Sequence, residues 1–204
     1  SMNPINKPSA TLVAAIAAAL ALAGCGGGAS APADEPPLAG AAIGGDFALV
    51  NAKGETVRWG DFAGKYRIVY FGYAFCPDVC PTDMQRVAQG LKELKAKDPA
   101  MAARITPIFI TVDPARDTPE VVGEFAAAFS PDIIGLTGTP EQIEVAAKAF
   151  KVFYAKGEDQ PGGGYLVDHS NVTYLFGPEG QPIATLPTDK GGTAVAAELE
   201  RWVN

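Results

Sequence analysis

Residues 66–84, YRIVYFGYAFCPDVCPTDM, place two cysteines between a mostly apolar run and the start of a helical pattern. The run at 66–71 has the length and composition of a buried β-strand. From Pro81 to about residue 97, apolar side chains recur at helical spacing, at Met84, Val87, Leu91 and Leu94. Proline is favoured at the first position of a helix. The stretch therefore predicts a strand, a short loop that carries Cys76, and a helix with Cys80 at its N-cap.

The segments on either side of this stretch alternate between strand and helix patterns. Further strands are predicted at 105–112, 133–136, 172–176 and 183–186, and a hairpin at 47–50 and 55–59 around a turn at 51–54. Further helices are predicted at about 118–129, 139–150 and 193–202, the first two beginning with Thr-Pro-Glu, a capping hydroxyl followed by proline. This order predicts an α/β domain with a thioredoxin-like fold and an extra N-terminal β-hairpin.

The pattern of residues 1–24 is typical of a secretory signal peptide. Lys7 precedes an apolar stretch at 12–23, which is shorter than the roughly 20 residues of a membrane span. The stretch leads into Leu-Ala-Gly-Cys at 22–25, which resembles the lipobox of bacterial lipoproteins, where the cysteine, here Cys25, is acylated. The alternative is a buried helix followed by a glycine-rich linker. On the lipoprotein interpretation, residues 25–41 are a flexible tether and residues 42–204 are the folded domain.

The charge balance disfavours one class of partner. The chain has 16 Lys and Arg against 23 Asp and Glu, and its formal net charge is −7, which argues against nucleic acid or an anionic lipid surface. The chain contains three cysteines, and lipidation of Cys25 leaves Cys76 and Cys80 as an even pair. The predicted location is the bacterial periplasm, with the protein lipid-anchored to a membrane.

The pair Cys76 and Cys80 has several possible roles. Both residues are predicted near the N-terminus of a helix, where the dipole favours thiolate, the form that attacks disulfides and binds metals. An inert disulfide is one possibility, although so short a loop stabilises a domain little. A thioredoxin-type redox pair has two residues between its cysteines, whereas three lie here. A peroxidase of the peroxiredoxin type has a threonine where residues 73–75 are Tyr-Ala-Phe. A metal site needs a third ligand.

His169, the only histidine, is the candidate third ligand. A lone histidine is more often packed or solvated, but this one follows a glycine-rich loop, 162–164, in a region where binding sites are commonly built. Other nearby residues are interpreted structurally. Asp78, Asp83 and Asp168 read as solvated or capping acids, Met84 as core, and Arg116 as a partner of Asp117 or another acid without a chemical role.

Three segments carry a resemblance to a known family: YFGYAFCPDVCPTDM at 70–84, FITVDPARDTPEVV at 109–122, and YLVDHSNVTYLFGPEG at 165–180. Together they resemble the Sco/SenC family of thioredoxin-fold copper proteins over about 42–204. The resemblance implies copper bound by Cys76, Cys80 and His169, and a role in assembling the dinuclear copper centre of cytochrome c oxidase subunit II. Two thiolates suit Cu(I) and an added imidazole suits Cu(II), whereas structural zinc takes four protein ligands.

The sequence leaves three functions open. The first is a copper metallochaperone that passes copper to cytochrome c oxidase subunit II or a related copper-acquiring protein. The second is a thiol-disulfide oxidoreductase, which would make the protein an enzyme and would use Cys76 and Cys80 as a redox-active disulfide to keep the oxidase's copper-ligand cysteines reduced. A redox sensor would use the same dithiol. Only copper binding requires His169, and no proline lies between Pro161 and Pro178, where a reductase would carry a cis-proline.

Overall fold

The computed structural model describes residues 34–204, which contain short and long strands interleaved with helices. The strands are β1 (Ala48–Val50), β2 (Thr56–Arg58), β3 (Tyr66–Gly72), β4 (Ile105–Thr111), β5 (Ile134–Leu136), β6 (Tyr154–Asp159), β7 (Tyr165–His169), β8 (Thr173–Phe176) and β9 (Pro182–Thr185). The α-helices are α1 (Val79–Lys97), α2 (Pro99–Ala102), α3 (Pro119–Ala127), α4 (Pro140–Ala149) and α5 (Gly192–Trp202).

A five-stranded mixed sheet forms the centre, with the strand order β5-β4-β3-β8-β9. β3 pairs in parallel with β4, β4 pairs in parallel with β5, and β8 runs antiparallel to both β3 and β9. All seven residues of β3 are buried. Because neighbouring side chains on a strand point to opposite faces, this burial means that both faces of the sheet are covered. The predicted thioredoxin-like α/β fold is confirmed.

The helix that follows the cysteines packs closely against the last helix. A side chain at Gly90 of α1 would meet Val195 of α5 at 2.7 Å and the carbonyl oxygen of Gly192 at 2.9 Å. Only glycine permits this approach. The helix α1 begins at Val79, two residues before the predicted start, so Cys80 lies in its first turn and not at the N-cap.

The predicted N-terminal hairpin is present as β1 and β2. Val50 and Thr137 exchange backbone hydrogen bonds of 2.7 and 2.9 Å, which attach the hairpin to the end of β5. Beneath it, four aromatic rings pack with centroid separations between 5.2 and 6.1 Å, the rings of Phe47, Trp59, Phe150 and Phe176. The hairpin therefore covers an aromatic part of the core.

A second hairpin, β6–β7, is a structural feature that the sequence analysis missed. It forms its own two-stranded antiparallel sheet, in which Tyr154 pairs with His169. The strand pattern predicted no strand between residues 150 and 172. The hairpin was not predicted because no residue of β6 is fully buried and its pairing shifts register between Lys156 and Asp159, which disrupts the alternation that marks a strand.

The predicted signal peptide (1–24), Cys25 and the first part of the predicted tether lie outside the described residues. Leu38 belongs to the folded unit, since its backbone N–H donates to the carbonyl oxygen of Ile183 at 2.9 Å. Across the described range 34–204, no helix has both the length and the hydrophobicity needed to cross a bilayer.

Candidate metal centre

The two cysteine sulfurs meet at the start of α1. Cys76 lies in the loop after β3, Cys80 lies in the first turn of α1, and both are buried and free of a disulfide. The backbone N–H of Cys80 points to the Sγ of Cys76 at 3.4 Å. Gly72, the last residue of β3, lies directly beside the second sulfur, because a Cβ there would be 2.8 Å from Cys80 Sγ. The strand end and the helix start thus hold both sulfurs in one place.

His169, the last residue of β7, turns its ring toward these sulfurs. Its Nδ1 lies 2.9 Å from the carbonyl oxygen of Ser170, and its Nε2 lies 3.2 Å from Cys80 Sγ. A carbonyl oxygen only accepts hydrogen bonds, so Nδ1 carries the proton and Nε2 presents its lone pair to the sulfur. Tyr70 and Tyr73 meet the ring edge-to-face at centroid distances of 6.3 and 5.8 Å. The imidazole is therefore fixed in the tautomer that a metal requires.

Burial controls the protonation of Cys80. Its side chain is inaccessible, and desolvation raises the pKa of the Cys80 thiol well above its ordinary value, while a hydrogen bond from the backbone of Tyr73 offsets only part of this. Burial therefore opposes the effect of the helix N-terminus, which favours thiolate, because desolvation disfavours the charged form of the Cys80 sulfur. The sulfur lies 3.2 Å from Nε2 of His169, and a metal that binds both atoms must displace any proton between them.

Asp83 differs from its predicted role as a solvated or capping acid. It is buried one turn beyond Cys80, and the hydroxyl of Tyr70 donates to its Oδ2 at 3.0 Å. Burial raises the pKa of Asp83. Asp78 and Asp168 are exposed, and Met84 is buried in the core, as predicted.

The three sequence-predicted ligands converge. Within residues 34–204, Cys76, Cys80 and His169 form a group whose candidate ligand atoms all lie within 4.8 Å of one another. Two sulfurs and one imidazole nitrogen therefore lie close enough together to share a single ion. The donor set is soft and has three members, which fits Cu(I) and, with the imidazole, Cu(II). It lacks the fourth protein ligand of a structural zinc site.

Arg116, for which the sequence predicted an acidic partner but no chemical role, lies beside the site. Of the predicted partners, Asp117 or another acid, it pairs with Asp113, with 2.5 Å between Nε and Oδ2. Its guanidinium carbon lies 3.7 Å from the ring centroid of Tyr165. Asp117 is buried and accepts the backbone N–H of Ala74, in the cysteine loop, at 2.8 Å. The Asp-Pro-x-x-Asp run after β4 was the sequence signal that could have indicated these contacts. Tyr165 and Ala74, which the run contacts, lie in distant segments of the chain.

Fold and site together define a thioredoxin-like protein with a cluster of two cysteines and one histidine suited to a soft metal. The SCO1/SenC family model matches residues 35–204. The chain therefore belongs to the SCO1/SenC family.

Curated relatives and solved structures agree with this assignment. Protein SCO2 of Saccharomyces cerevisiae mitochondria is 44% identical over 146 residues, which cover 71% of this chain and 48% of the relative. Protein SenC of Rhodobacter capsulatus is 47% identical over 142 residues, covering 69% and 62%. The chain spans about half the length of the curated relatives it matches.

Copper-bound structures of such relatives have the same fold. Arabidopsis thaliana ScoI with copper bound superposes with a TM-score of 0.73 at 36% identity, covering 78% of this chain and 98% of that one. Yeast Sco1 with copper bound gives 0.72 at 35% identity, covering 79% and 88%. These proteins bind copper on the scaffold that carries Cys76, Cys80 and His169 here.

Proposed function

We propose that this protein is a copper metallochaperone that binds one copper ion through Cys76, Cys80 and His169. The observation that carries the proposal is the convergence of two sulfurs and an imidazole nitrogen within 4.8 Å. Copper is the cargo and not a resident cofactor. The copper-bound state of the Arabidopsis and yeast relatives supports the assignment.

The acceptor in this proposal is cytochrome c oxidase subunit II or a related copper-acquiring protein, as the family resemblance implies. Partial exposure favours transfer, since His169 is half-buried and 9% of Cys76 is accessible. An incoming ligand can therefore approach from the side of Cys76 and His169, while Cys80 stays covered. The buried tyrosines around the ring keep the imidazole oriented during this exchange.

A copper titration of the reduced protein and of His169→Ala tests the ligand set. Two thiolates suffice for Cu(I), so the variant retains Cu(I), whereas Cu(II) depends on the imidazole and is lost together with its thiolate-to-Cu(II) absorption. Asn171→Ala, an exposed position two residues further on, is the matched control and binds both ions normally. Unchanged Cu(II) binding by His169→Ala would show that His169 is only a packed histidine.

A second function is favoured by the contact between the two cysteines, because the Cys80 N–H lies 3.4 Å from Cys76 Sγ. The pair can form a disulfide, giving two electrons and two protons to a disulfide of the acceptor, which becomes a dithiol. Restoration of oxidase assembly by His169→Ala, despite its lack of Cu(II) binding, would favour this reductase function. Failure of the same variant to restore assembly, while its dithiol still exchanges, would favour copper delivery.

We also propose that Cys25 carries lipid and that the domain is held on the periplasmic side of a bacterial membrane. The support is the lipobox-like sequence at 22–25 and the Gly/Pro-rich segment after it. The native protein should fractionate with membranes, and Cys25→Ser should leave it soluble or unprocessed. Cys76→Ser, which keeps the lipobox, is the control and stays in the membrane fraction. Equal partition of Cys25→Ser and the parent would contradict the anchor.

A further inference from the structure

Three residues next to the metal centre form a closed set of contacts, called here the Arg116 cluster: Asp113, Arg116 and Tyr165. One carboxylate oxygen of Asp113 accepts Arg116 Nε at 2.5 Å, and the other accepts the hydroxyl of Tyr165 at 2.7 Å. The guanidinium carbon lies 3.7 Å from the centroid of the Tyr165 ring. Each member thus contacts both others, through a salt bridge, a hydrogen bond and a cation–π contact.

The cluster joins the two chain segments that supply the metal ligands. Tyr165 is the first residue of β7 and His169 is the last, so the cluster holds the strand that carries the imidazole. Arg116 also lies 5.1 Å from the ring centroid of Phe75, the residue before Cys76, and 5.7 Å from that of Tyr73. One guanidinium therefore contacts both the His169 strand and the cysteine loop.

The central sheet does not fix the position of the hairpin β6–β7, because the hairpin is not part of that sheet. The two cysteines are fixed by β3 and α1, whereas the position of His169 depends on how its hairpin is attached. At one end the chain leads from His169 into β8. At the other end the Arg116 cluster ties Tyr165 to the loop after β4, which also binds the cysteine loop through Asp117 and Ala74.

The environment of Arg116 is unusual for a residue that only stabilises a surface. Its side chain is 21% exposed and that of Asp113 is 5% exposed. Its Nη2 is buried without a hydrogen-bond partner among the described atoms, an arrangement that costs stability. Arg104 stacks on Tyr66 at 5.3 Å but lies at the opposite end of β3 from the cysteines, and so it offers a matched comparison.

We propose that Arg116 is a positioning residue that sets the distance between His169 and the two cysteine sulfurs. It thereby strengthens the binding of Cu(II) without changing that of Cu(I). The inference rests on the proposed copper function. Loss of Arg116 leaves both thiolates in place and releases the hairpin. Cu(I) binding is therefore preserved, while Cu(II), which needs the imidazole, is weakened.

The test uses the full-length protein with Arg116→Met, which keeps the bulk of the side chain and removes its charge and planar group. Cu(II) affinity falls about 10- to 100-fold, the usual range for loss of a group that orients a ligand, and the thiolate-to-Cu(II) band shifts. Cu(I) affinity is unchanged. Tyr165→Phe, a milder change that keeps the ring and loses its bond to Asp113, gives a smaller loss of the same kind. Arg104→Met leaves both affinities at the parent values.

Amide hydrogen exchange of the metal-free protein supplies a readout that does not depend on copper. Arg116→Met accelerates exchange in β6–β7 and leaves β3 and β4 protected. The inference is overturned if Arg116→Met and Tyr165→Phe hold Cu(II) like the parent, if Cu(I) weakens equally, or if Arg104→Met has the same effect. If the parent itself binds no copper, the proposed function fails, and the exchange data alone then decide whether Arg116 positions the hairpin.

Discussion

Among single residues, Cys80 shows most directly how packing acts on the chemistry of the site. Its sulfur is buried against Gly72 and next to the ring of His169. That burial raises the pKa of the thiol, and because a metal binds the thiolate, copper uptake at Cys80 is coupled to loss of its proton. The position of the sulfur depends on the absence of a side chain at residue 72.

Gly72→Ala is expected to displace the Cys80 sulfur. The added Cβ would lie 2.8 Å from Sγ, 2.9 Å from the ring of Tyr70 and 3.0 Å from that of Phe109. Overpacking of this kind destabilises a core by about 1–3 kcal/mol. Denaturant unfolding should show this loss, and Cu(II) titration should show weaker binding.

Gly60→Ala is the control for that substitution, since a Cβ at residue 60 meets nothing within 4 Å. It should leave both the unfolding free energy and the copper affinity close to the parent values. Equal behaviour of the two alanine variants would contradict the close packing of residue 72 against the sulfur.

The secondary-structure elements divide into those that local sequence specifies and those that it does not. The strand β3, the helix α1 and the Thr-Pro-Glu helix starts were predicted because apolar periodicity and capping are local signals. In both helices the predicted threonine caps the first turn, Thr118 bonding Val121 and Thr139 bonding Gln142. The hairpin β6–β7 was missed because its pairing is irregular and no residue of β6 is fully buried.

The same division applies to the site. Cys76, Cys80 and His169 were predicted to lie together from their residue types and from the family resemblance. The burial of Cys80 and Asp83 and the contact of Arg116 with Tyr165 were not predicted, because each depends on contacts between segments that are far apart in the chain. Desolvation and long-range pairing leave no periodic pattern in a sequence.

Asp117 links the loop after β4 to the cysteine loop and has a predictable effect on stability. Its Oδ2 accepts Thr111 Oγ at 2.6 Å and the Ala74 N–H at 2.8 Å, while Oδ1 is buried without a hydrogen-bond partner among the described atoms. Burial raises the pKa of Asp117, and these two hydrogen bonds offset only part of the rise. A raised pKa means that the folded state binds this proton more tightly than the unfolded chain does.

Asp117→Asn is therefore expected to change the pH dependence of folding. In the parent, the stability that comes from the protonated carboxyl is fully present below the unfolded pKa, ordinarily near 3.9, and is lost as pH rises through the higher folded pKa. Asparagine does not titrate and can place its oxygen where Oδ2 lies. We therefore expect the difference in unfolding free energy, variant minus parent, to be more positive at pH 7 than at pH 4. Urea denaturation at the two pH values measures this difference. Asp132→Asn, at an exposed site, is the control. If the difference in unfolding free energy between Asp117→Asn and the parent did not change with pH, this account would be contradicted.

The folded domain, residues 35–204, combines a central sheet, whose strand β3 is wholly buried, with two hairpins that lie outside that sheet. The hairpin β1–β2 covers the aromatic part of the core, and β6–β7 brings the imidazole to the cysteines. Two copper-bound relatives have the same overall fold at 35–36% identity. The site is thus assembled only when the sheet, α1 and the second hairpin are all in place.

Because His169 lies 89 positions after Cys80 in the chain, the two copper ions should have different effects on thermal unfolding. The cysteines stay four residues apart even in a denatured chain, which can therefore retain Cu(I), whereas the three-ligand set for Cu(II) exists only after folding. A ligand that also binds the denatured state raises the melting temperature less than one that does not. At equal ratios of free ion to dissociation constant, Cu(II) should raise the melting temperature of the parent more than Cu(I) does in calorimetric scans, whereas His169→Ala, which loses Cu(II), should keep only the smaller Cu(I) shift. Equal shifts in the parent would mean that the denatured chain gathers all three ligands as readily as two.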